Sequence, residues 1–125
     1  MKFKKKSLVT GGAGFIGSNL VDELVRLKHH VTVLDNFSTG KKNNLKHHSK
    51  KNVKIINIDI SKNLKIEKYI KNIDYVYHLA ALADIVPSIK YPEKYFKSNV
   101  IGTFNILNAS FKNKVKKFIY AASAS

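Results

Sequence analysis

Four glycines lie within residues 10–17 (TGGAGFIG), directly after the apolar pair Leu8-Val9. This order predicts a strand end, a turn with little side-chain bulk, and a helix whose apolar residues recur at helical spacing, namely Ile16, Leu20, Leu24 and Leu27. Backbone N–H groups at a helix start lack partners within the helix, and the helix dipole is positive there, so a diphosphate can bind them directly. Gly11 would permit the tight turn, Gly14 the close approach of phosphates, and Gly17 the packing of helix on strand.

An acidic residue follows this glycine pattern at about the 20-residue distance expected of a dinucleotide site. It is Asp35, at the end of the apolar segment 31–34. Its carboxylate could accept hydrogen bonds from ribose hydroxyls, and its charge would repel a 2′-phosphate, which favours NAD over NADP. The alternative interpretation is a glycine-rich loop followed by an exposed aspartate, without any ligand.

The length and composition exclude several classes of protein. The 125 residues fit one domain, and the lack of cysteine excludes disulfides and cysteine metal sites. No apolar run approaches the roughly 20 residues of a membrane helix, and the apolar run after the basic start is too short for a signal peptide, so we expect a cytoplasmic protein. The net charge of +15 comes from scattered lysines and a single arginine, Arg26, so we expect no nucleic-acid binding.

Apolar segments typical of strands alternate with segments of helical spacing along the whole chain. Five strands are predicted at residues 3–10, 31–34, 53–60, 74–81 and 116–122, with helices at 14–28, 64–70 and 96–111. Pro87 and Pro92 are expected to flank a loop, and His29-His30 to end the first helix. This alternation predicts an α/β fold of the Rossmann type, a doubly wound parallel sheet with helices on both faces.

Several motifs occur in a fixed order: TGGAGFIGSNL at 10–20, LDNFSTG at 34–40, Asp59-Ile60, HLAA at 78–81, NVIGT at 99–103 and YAASAS at 120–125. Together they resemble the N-terminal part of the extended short-chain dehydrogenase/reductase family. Within that family the chain most resembles the NAD-dependent nucleotide-sugar epimerases, such as the UDP-glucose and UDP-N-acetylglucosamine 4-epimerases. The resemblance implies NAD as cofactor, a UDP-sugar as substrate, and a homodimer for the full-length family member.

The resemblance also implies a role for each matching position. The diphosphate loop would comprise Gly11, Gly14, Phe15, Ile16 and Gly17. Asp35 would hold the adenosine ribose, surrounded by Asn36, Ser38 and Gly40. Adenine would contact Asp59 and Ile60, and the nicotinamide-side ribose would contact Leu79, Ala80 and Ala81. Asn99 would support the cofactor region, and Ser123 would be the catalytic hydroxyl that hydrogen-bonds the reacting sugar oxygen.

Other polar residues have a simpler explanation. Asp59 is equally well explained as a turn or helix-start aspartate, and His78 is better explained as a core or strand-end residue than as a catalyst. No metal site is predicted, and the adjacent His47-His48 receives no role.

The family's catalytic Tyr-x-x-x-Lys pair is absent, since none of the six tyrosines has a lysine four residues later. We therefore expect residues 1–125 to be an incomplete NAD-binding Rossmann domain, without a C-terminal substrate domain and inactive alone. A sugar-nucleotide dehydratase or decarboxylase fragment is one alternative. Dehydratases typically carry Asp-Glu after the catalytic hydroxyl, whereas Ala124-Ser125 follows Ser123 here, which favours an epimerase. The other alternative is a non-catalytic NAD-binding module.

Overall fold

A computed structural model describes residues 2–62 and 65–122. Its strands are β1 (Lys5–Thr10), β2 (His29–Asp35), β3 (Val53–Asn57), β4 (Tyr75–His78) and β5 (Lys117–Tyr120). Its α-helices are α1 (Phe15–Arg26), α2 (Ile66–Ile70), α3 (Ile85–Lys90), α4 (Pro92–Tyr95) and α5 (Gly102–Lys112). Short 3₁₀ turns cover Lys42–Leu45 and Ile60–Lys62, and a π-helical stretch, Phe96–Ile101, joins α4 to α5.

The five strands form one sheet in the order β3-β2-β1-β4-β5, and all neighbours are parallel. In the register, Leu8 of β1 lies opposite Thr32 on one side and Val76 on the other. The strand order reverses between β1 and β4, and parallel sheets bind ligands at the carboxyl ends of strands beside such a reversal. The predicted doubly wound α/β sheet is confirmed.

Neighbouring residues of each strand point to opposite faces of the sheet. Both faces therefore carry apolar side chains, and helices cover both. Leu8 joins a core with Leu34, Val76 and residues of α2 and α5 that include Ile70 and Ile106. Val9 points to the opposite face and joins a second core, whose other members include Val31, Val33 and the α1 residues Val21 and Leu24. No helix within residues 2–62 and 65–122 combines the length and apolar character needed to cross a membrane.

Two local predictions are wrong. Pro87 and Pro92 do not flank a loop but lie in the first turns of α3 and α4, where the N–H that proline lacks needs no partner within the helix. His29 and His30 do not end α1 but begin β2, paired with Lys5 and Lys6 of β1. The chain turns between α1 and β2 at Lys28, which adopts a positive φ.

The predicted long helix at 96–111 exists as the Phe96–Ile101 stretch and α5. Its buried and exposed residues differ from those of a usual amphipathic helix. Its buried positions are mostly small or polar, namely Gly102, Asn105, Ile106, Ala109 and Ser110. Apart from the buried Ile106, most of its large apolar residues are exposed, namely Phe96, Val100, Phe104, Leu107 and Phe111. The close packing of α5 against the sheet therefore depends on small side chains.

Gly17 makes the tightest contact between α1 and the preceding turn. A Cβ at this position would lie 2.1 Å from the carbonyl oxygen of Gly11. That oxygen accepts the Gly14 N–H at 3.2 Å, so it cannot move away freely. At Gly14, by contrast, the nearest atom to an added Cβ would be 3.4 Å away.

Gly17→Ala is therefore expected to lower the free energy of unfolding by about 1–3 kcal/mol, although alanine is otherwise the better helix former. Urea unfolding followed by circular dichroism measures the change. Gly14→Ala is the matched control and should change stability much less. Equal effects of the two substitutions would contradict the close-packing role of Gly17.

Candidate functional site: a cleft at the carboxyl edge of the sheet

A cleft of about 570 Å³ opens at the carboxyl ends of β1, β2 and β4. It is lined by thirteen of the fifteen residues predicted to bind cofactor: Gly11, Gly14, Phe15, Ile16, Gly17, Asp35, Asn36, Ser38, Asp59, Ile60, Leu79, Ala80 and Ala81. The cleft lies where the strand order reverses, and its volume falls in the range of small-molecule sites. The topology thus brings together segments that are far apart in the sequence.

The glycine loop presents main-chain donors to this cleft. Gly11 turns the chain with a φ of +71° and donates its N–H to the Leu34 carbonyl at 2.8 Å. The N–H of Ser18 is bonded to the Gly14 carbonyl at 2.9 Å, within the first turn of α1. Main-chain N–H groups of a first helical turn have no acceptor inside the helix, and Phe15, Ile16 and Gly17 supply them at the cleft wall. The arrangement suits an anion such as a diphosphate.

Asp35 lies at the end of β2 with its side chain buried. One carboxylate oxygen accepts the N–H of Ala13 at 3.0 Å, and the other accepts the N–H of Phe37 at 2.8 Å. The carboxylate is thereby fixed between the glycine loop and the loop that follows β2. Since each oxygen can accept a further hydrogen bond, the group can still receive the hydroxyls of a bound ribose.

The loop after Asp35 forms one end of the cleft. Asn36 accepts the N–H of Ser38 on its side-chain oxygen at 3.0 Å, and both residues line the cleft. Gly40 does not line it, because this residue packs against the main chain of Ala13, where an added Cβ would lie 2.8 Å from the carbonyl carbon. Gly40 therefore positions the loop and does not contact the cleft itself.

Asp59 has the turn role that was one of its two predicted explanations. Its Oδ1 accepts the N–H of Ser61 at 2.9 Å and the Ser61 hydroxyl at 2.7 Å, which starts the Ile60–Lys62 turn. Asp59 also lines the cleft beside Ile58 and Ile60, so a contact with adenine remains compatible with the turn role.

The opposite end of the cleft is made by the segment after β4. Leu79, Ala80 and Ala81 lie in its wall. Asn99 stands behind the wall: its amide donates to the Leu82 carbonyl at 2.9 Å, and its Oδ1 accepts the Leu82 N–H at 2.8 Å. Asn99 thus supports the site without lining it. Ser123, the predicted catalytic residue, lies outside the described residues.

Sequence reasoning missed several residues of the cleft. Lys94 and Lys97 line it from the helical segment 92–101, and Ser98 and Ala83 lie close by in the same lining. The two lysines are three residues apart and so share a helix face. That spacing was visible in the sequence, but the chain has so many lysines that it did not stand out.

A buried polar chain beneath the cleft joins β1, β4 and α5. The side chain of His78 is paired with Thr10 Oγ1 through Nδ1 at 2.7 Å and with Thr103 Oγ1 through Nε2 at 2.7 Å. Thr10 Oγ1 also accepts the N–H groups of Leu79 and Ala80, each at 3.1 Å. His78 is buried, which lowers its pKa to about 4. The prediction of a core histidine is confirmed.

Comparison with known proteins identifies the family. The family model "NAD dependent epimerase/dehydratase family" matches residues 7–125. The chain belongs to that family. The resemblance to this family that the motifs predict is thereby confirmed.

Relatives of this family member include more than one kind of UDP-sugar enzyme. It is 45% identical over 107 residues to UDP-glucuronic acid decarboxylase 1 of Danio rerio, which covers 85% of the chain and 24% of the relative. A solved UDP-N-acetylglucosamine 4-epimerase of Methanobrevibacter ruminantium, in complex with UDP-N-acetylmuramic acid, is 39% identical with a TM-score of 0.91, covering 98% of the chain and 39% of that structure. A UDP-glucose 4-epimerase of Thermus thermophilus, solved in complex with NAD, is 35% identical with a TM-score of 0.84, covering 94% and 37%. The chain thus spans about a quarter to two fifths of the length of these proteins.

The lowered pKa of His78 predicts how the free energy of unfolding depends on pH. Between pH 6.5 and about 4 the unfolded chain binds a proton at this histidine while the folded chain does not, so stability falls as the pH falls through this window. At about 1.4 kcal/mol per pH unit the loss amounts to about 3 kcal/mol, and above pH 6.5 the contribution is constant.

Urea unfolding of the parent chain and of His78→Gln from pH 8 to 4 measures this effect. The variant is expected to be less stable at pH 8, because it loses the two threonine contacts, but to depend less steeply on pH below 6.5. Parallel pH profiles for the two chains would show that His78 does not titrate in this window.

Proposed function

We propose that this chain binds NAD in the cleft and supplies the cofactor-binding part of a nucleotide-sugar 4-epimerase. The observation that carries the proposal is the position of Asp35. Its carboxylate is hydrogen-bonded to the glycine loop at Ala13 and lines the same cleft as the first turn of α1. One cleft therefore offers donors for a diphosphate and an acceptor for the adjoining ribose.

The shape of the cleft supports an orientation for the dinucleotide. The diphosphate would lie on the N–H groups of Phe15, Ile16 and Gly17, with Gly14 leaving room for it. The adenosine half would extend past Asp35 toward the cleft wall made by Ile58, Asp59 and Ile60, and toward Asn36 and Ser38. The nicotinamide half would extend toward Leu79, Ala80 and Ala81, and the small side chains of the two alanines leave room for it at the strand end.

The same geometry favours NAD over NADP. The two hydrogen bonds on the Asp35 carboxylate hold its two oxygens in place beside the cleft. A 2′-phosphate on the ribose would bring a second negative charge against it, in a site where burial weakens screening by water. The basic residues of the cleft, Lys94 and Lys97, lie on the helical segment 92–101, which follows the strand end proposed for the nicotinamide half.

Epimerisation at C4 of a UDP-hexose or UDP-N-acetylhexosamine is the reaction that we infer for the whole protein. Bound NAD would accept a hydride from the sugar and return it, while this chain's residues hold the cofactor and orient it. Ser123 would hydrogen-bond the reacting oxygen, and Ala124-Ser125 after it supports an epimerase over a dehydratase. The similarity to a UDP-N-acetylglucosamine 4-epimerase over 98% of the chain is consistent with this reaction. The resemblance also predicts a homodimer, and the exposed apolar face of the helical segment 96–111 is a surface of the kind that subunit contacts cover.

A UDP-glucuronate decarboxylase is the second candidate. It is favoured by one observation, the 45% identity with the Danio rerio decarboxylase over 85% of the chain. Both candidates require the same cofactor cleft, so the NAD proposal does not depend on the choice between them.

Isothermal titration calorimetry of the folded 125-residue chain tests the cofactor proposal. NAD is expected to bind at least about tenfold more tightly than NADP, because one ribose contact with Asp35 is lost and a repulsion is gained. Asp35→Asn should weaken NAD binding about tenfold and reduce the preference. Asp84→Asn, an exposed acid outside the cleft lining, is the matched control and should change neither. Tighter binding of NADP, or no binding of either by folded chain, would refute the proposal.

The 125-residue chain should not epimerise UDP-glucose in the presence of NAD, since its sequence has no Tyr-x-x-x-Lys pair to act as general base. Proton NMR of the sugar's anomeric signals measures turnover, with the Thermus thermophilus UDP-glucose 4-epimerase as positive control. Turnover above the uncatalysed background would show that another residue of this chain serves as the base.

A further inference from the structure

Three potential metal ligands meet on the surface behind the cleft. Asp22 lies on α1, and His47 and His48 follow the Lys42–Leu45 turn. The Nε2 atoms of both histidines reach the same carboxylate oxygen, Asp22 Oδ1, at 2.8 Å for His47 and 2.6 Å for His48. All three ligand atoms lie within 4.8 Å of one another. We propose that this Asp22–His47–His48 cluster binds a transition-metal ion such as Zn²⁺.

The spacing of the atoms suits a metal after a small adjustment. Zinc bonds of about 2.0–2.1 Å in tetrahedral geometry place neighbouring ligand atoms about 3.3 Å apart. The two histidine–aspartate separations of 2.8 and 2.6 Å are shorter than this by about 0.5 and 0.7 Å, as expected of hydrogen bonds that an ion would replace. Asp22 and His47 are about half exposed, at 47% and 54% of their side-chain surfaces, so they can move apart by this amount. His48 is more restricted, with 8% exposed, and provides the fixed side of the site.

The chemistry of the donor set selects the kind of ion. Two imidazoles and one carboxylate suit Zn²⁺, Ni²⁺, Cu²⁺ or Co²⁺, whereas Mg²⁺ and Ca²⁺ prefer oxygen ligands. Water would complete the coordination on the exposed side. The lysines that neighbour the histidines in sequence, Lys46 and Lys50, oppose a cation and limit its affinity.

Because of its position in the fold, the cluster would couple the binding of an ion to the stability of the folded chain. It joins α1 to the connection between β2 and β3, and Asn44 of the same connection donates its amide to the Ala13 carbonyl of the glycine loop at 2.8 Å. An ion that binds the folded chain and not the unfolded one stabilises the fold by mass action. The site is separate from the cleft, because none of its three residues lines it, and the inference does not rest on the proposed cofactor.

The test uses the 125-residue chain purified without a histidine tag and treated with a chelator. Titration with Co²⁺ should produce the visible absorption bands of a site with nitrogen and oxygen ligands, and Zn²⁺ should displace it at one ion per chain. Zn²⁺ should raise the melting temperature, whereas Mg²⁺ at the same concentration should not.

Asp22→Asn and His47→Gln should each weaken Zn²⁺ binding by at least about tenfold. Both replace an exposed side chain by one of similar shape, so folding is retained, and circular dichroism confirms it. His30→Gln, which removes an imidazole at the start of β2, is the matched control and should bind Zn²⁺ as the parent does. Equal binding by the parent and the two cluster variants, or no Co²⁺ bands in the parent, would show that the three side chains form only a hydrogen-bonded surface cluster.

Discussion

The hydrogen bond from Ala13 N–H to the Asp35 carboxylate is the contact on which the cleft depends. The first turn of a helix can bind an anion only if its N–H groups have no other acceptor. A loop of glycines has no side chains that could fix the loop in a conformation that leaves these groups free. The Asp35 carboxylate supplies the missing constraint from the neighbouring strand, while Gly11 is bonded to the Leu34 carbonyl one residue earlier. The end of β2 thus fixes the conformation of the glycine loop that follows β1. The acid has a structural use that is independent of any ribose.

Thr10 provides the corresponding constraint on the other side of β1. Its hydroxyl receives the N–H groups of Leu79 and Ala80 and meets His78, which reaches on to Thr103 of α5. This chain of contacts joins β1, β4 and α5 under the cleft. It also gives hydrogen-bond partners to buried polar groups, each of which would cost about 1–3 kcal/mol if it were left without a partner. Because the histidine is neutral in this setting, the cleft floor keeps its geometry near neutral pH without an added charge. The carboxyl edge of the sheet is therefore tied on both sides of the strand that carries the glycine loop.

The glycine pattern and Asp35 were predictable because each is local: a turn of given tightness and an acid at a strand end impose residue types at set spacings. The burial of α5 was not predictable in this way. Apolar residues at helical spacing, such as Phe104 and Phe111, predict a helix but are exposed, while Gly102 and Ala109 pack inward. Gly40 and Asn99 were assigned to the site, yet one packs on Ala13 and the other holds Leu82, and neither lines the cleft. Such roles depend on tertiary distances that spacing along the chain does not contain. Pro87 was misread for a related reason, since a proline is compatible with a loop and with a first helical turn alike.

The similarity to both decarboxylases and epimerases follows from which part of those proteins the chain covers. The matched segment builds the carboxyl edge of the sheet, where the glycine loop, Asp35 and the strand ends line one cleft. If NAD binds here as proposed, these residues meet demands of the cofactor that an epimerase and a decarboxylase would share. The sugar would be distinguished by groups that touch it, of which Ser123 is the one proposed for this chain. High identity here therefore reports how the cofactor is held and carries little information about which bond of the sugar is changed. For this reason neither the 45% nor the 39% identity decides between a decarboxylase and an epimerase, and Ala124-Ser125 after Ser123 argues only against a dehydratase.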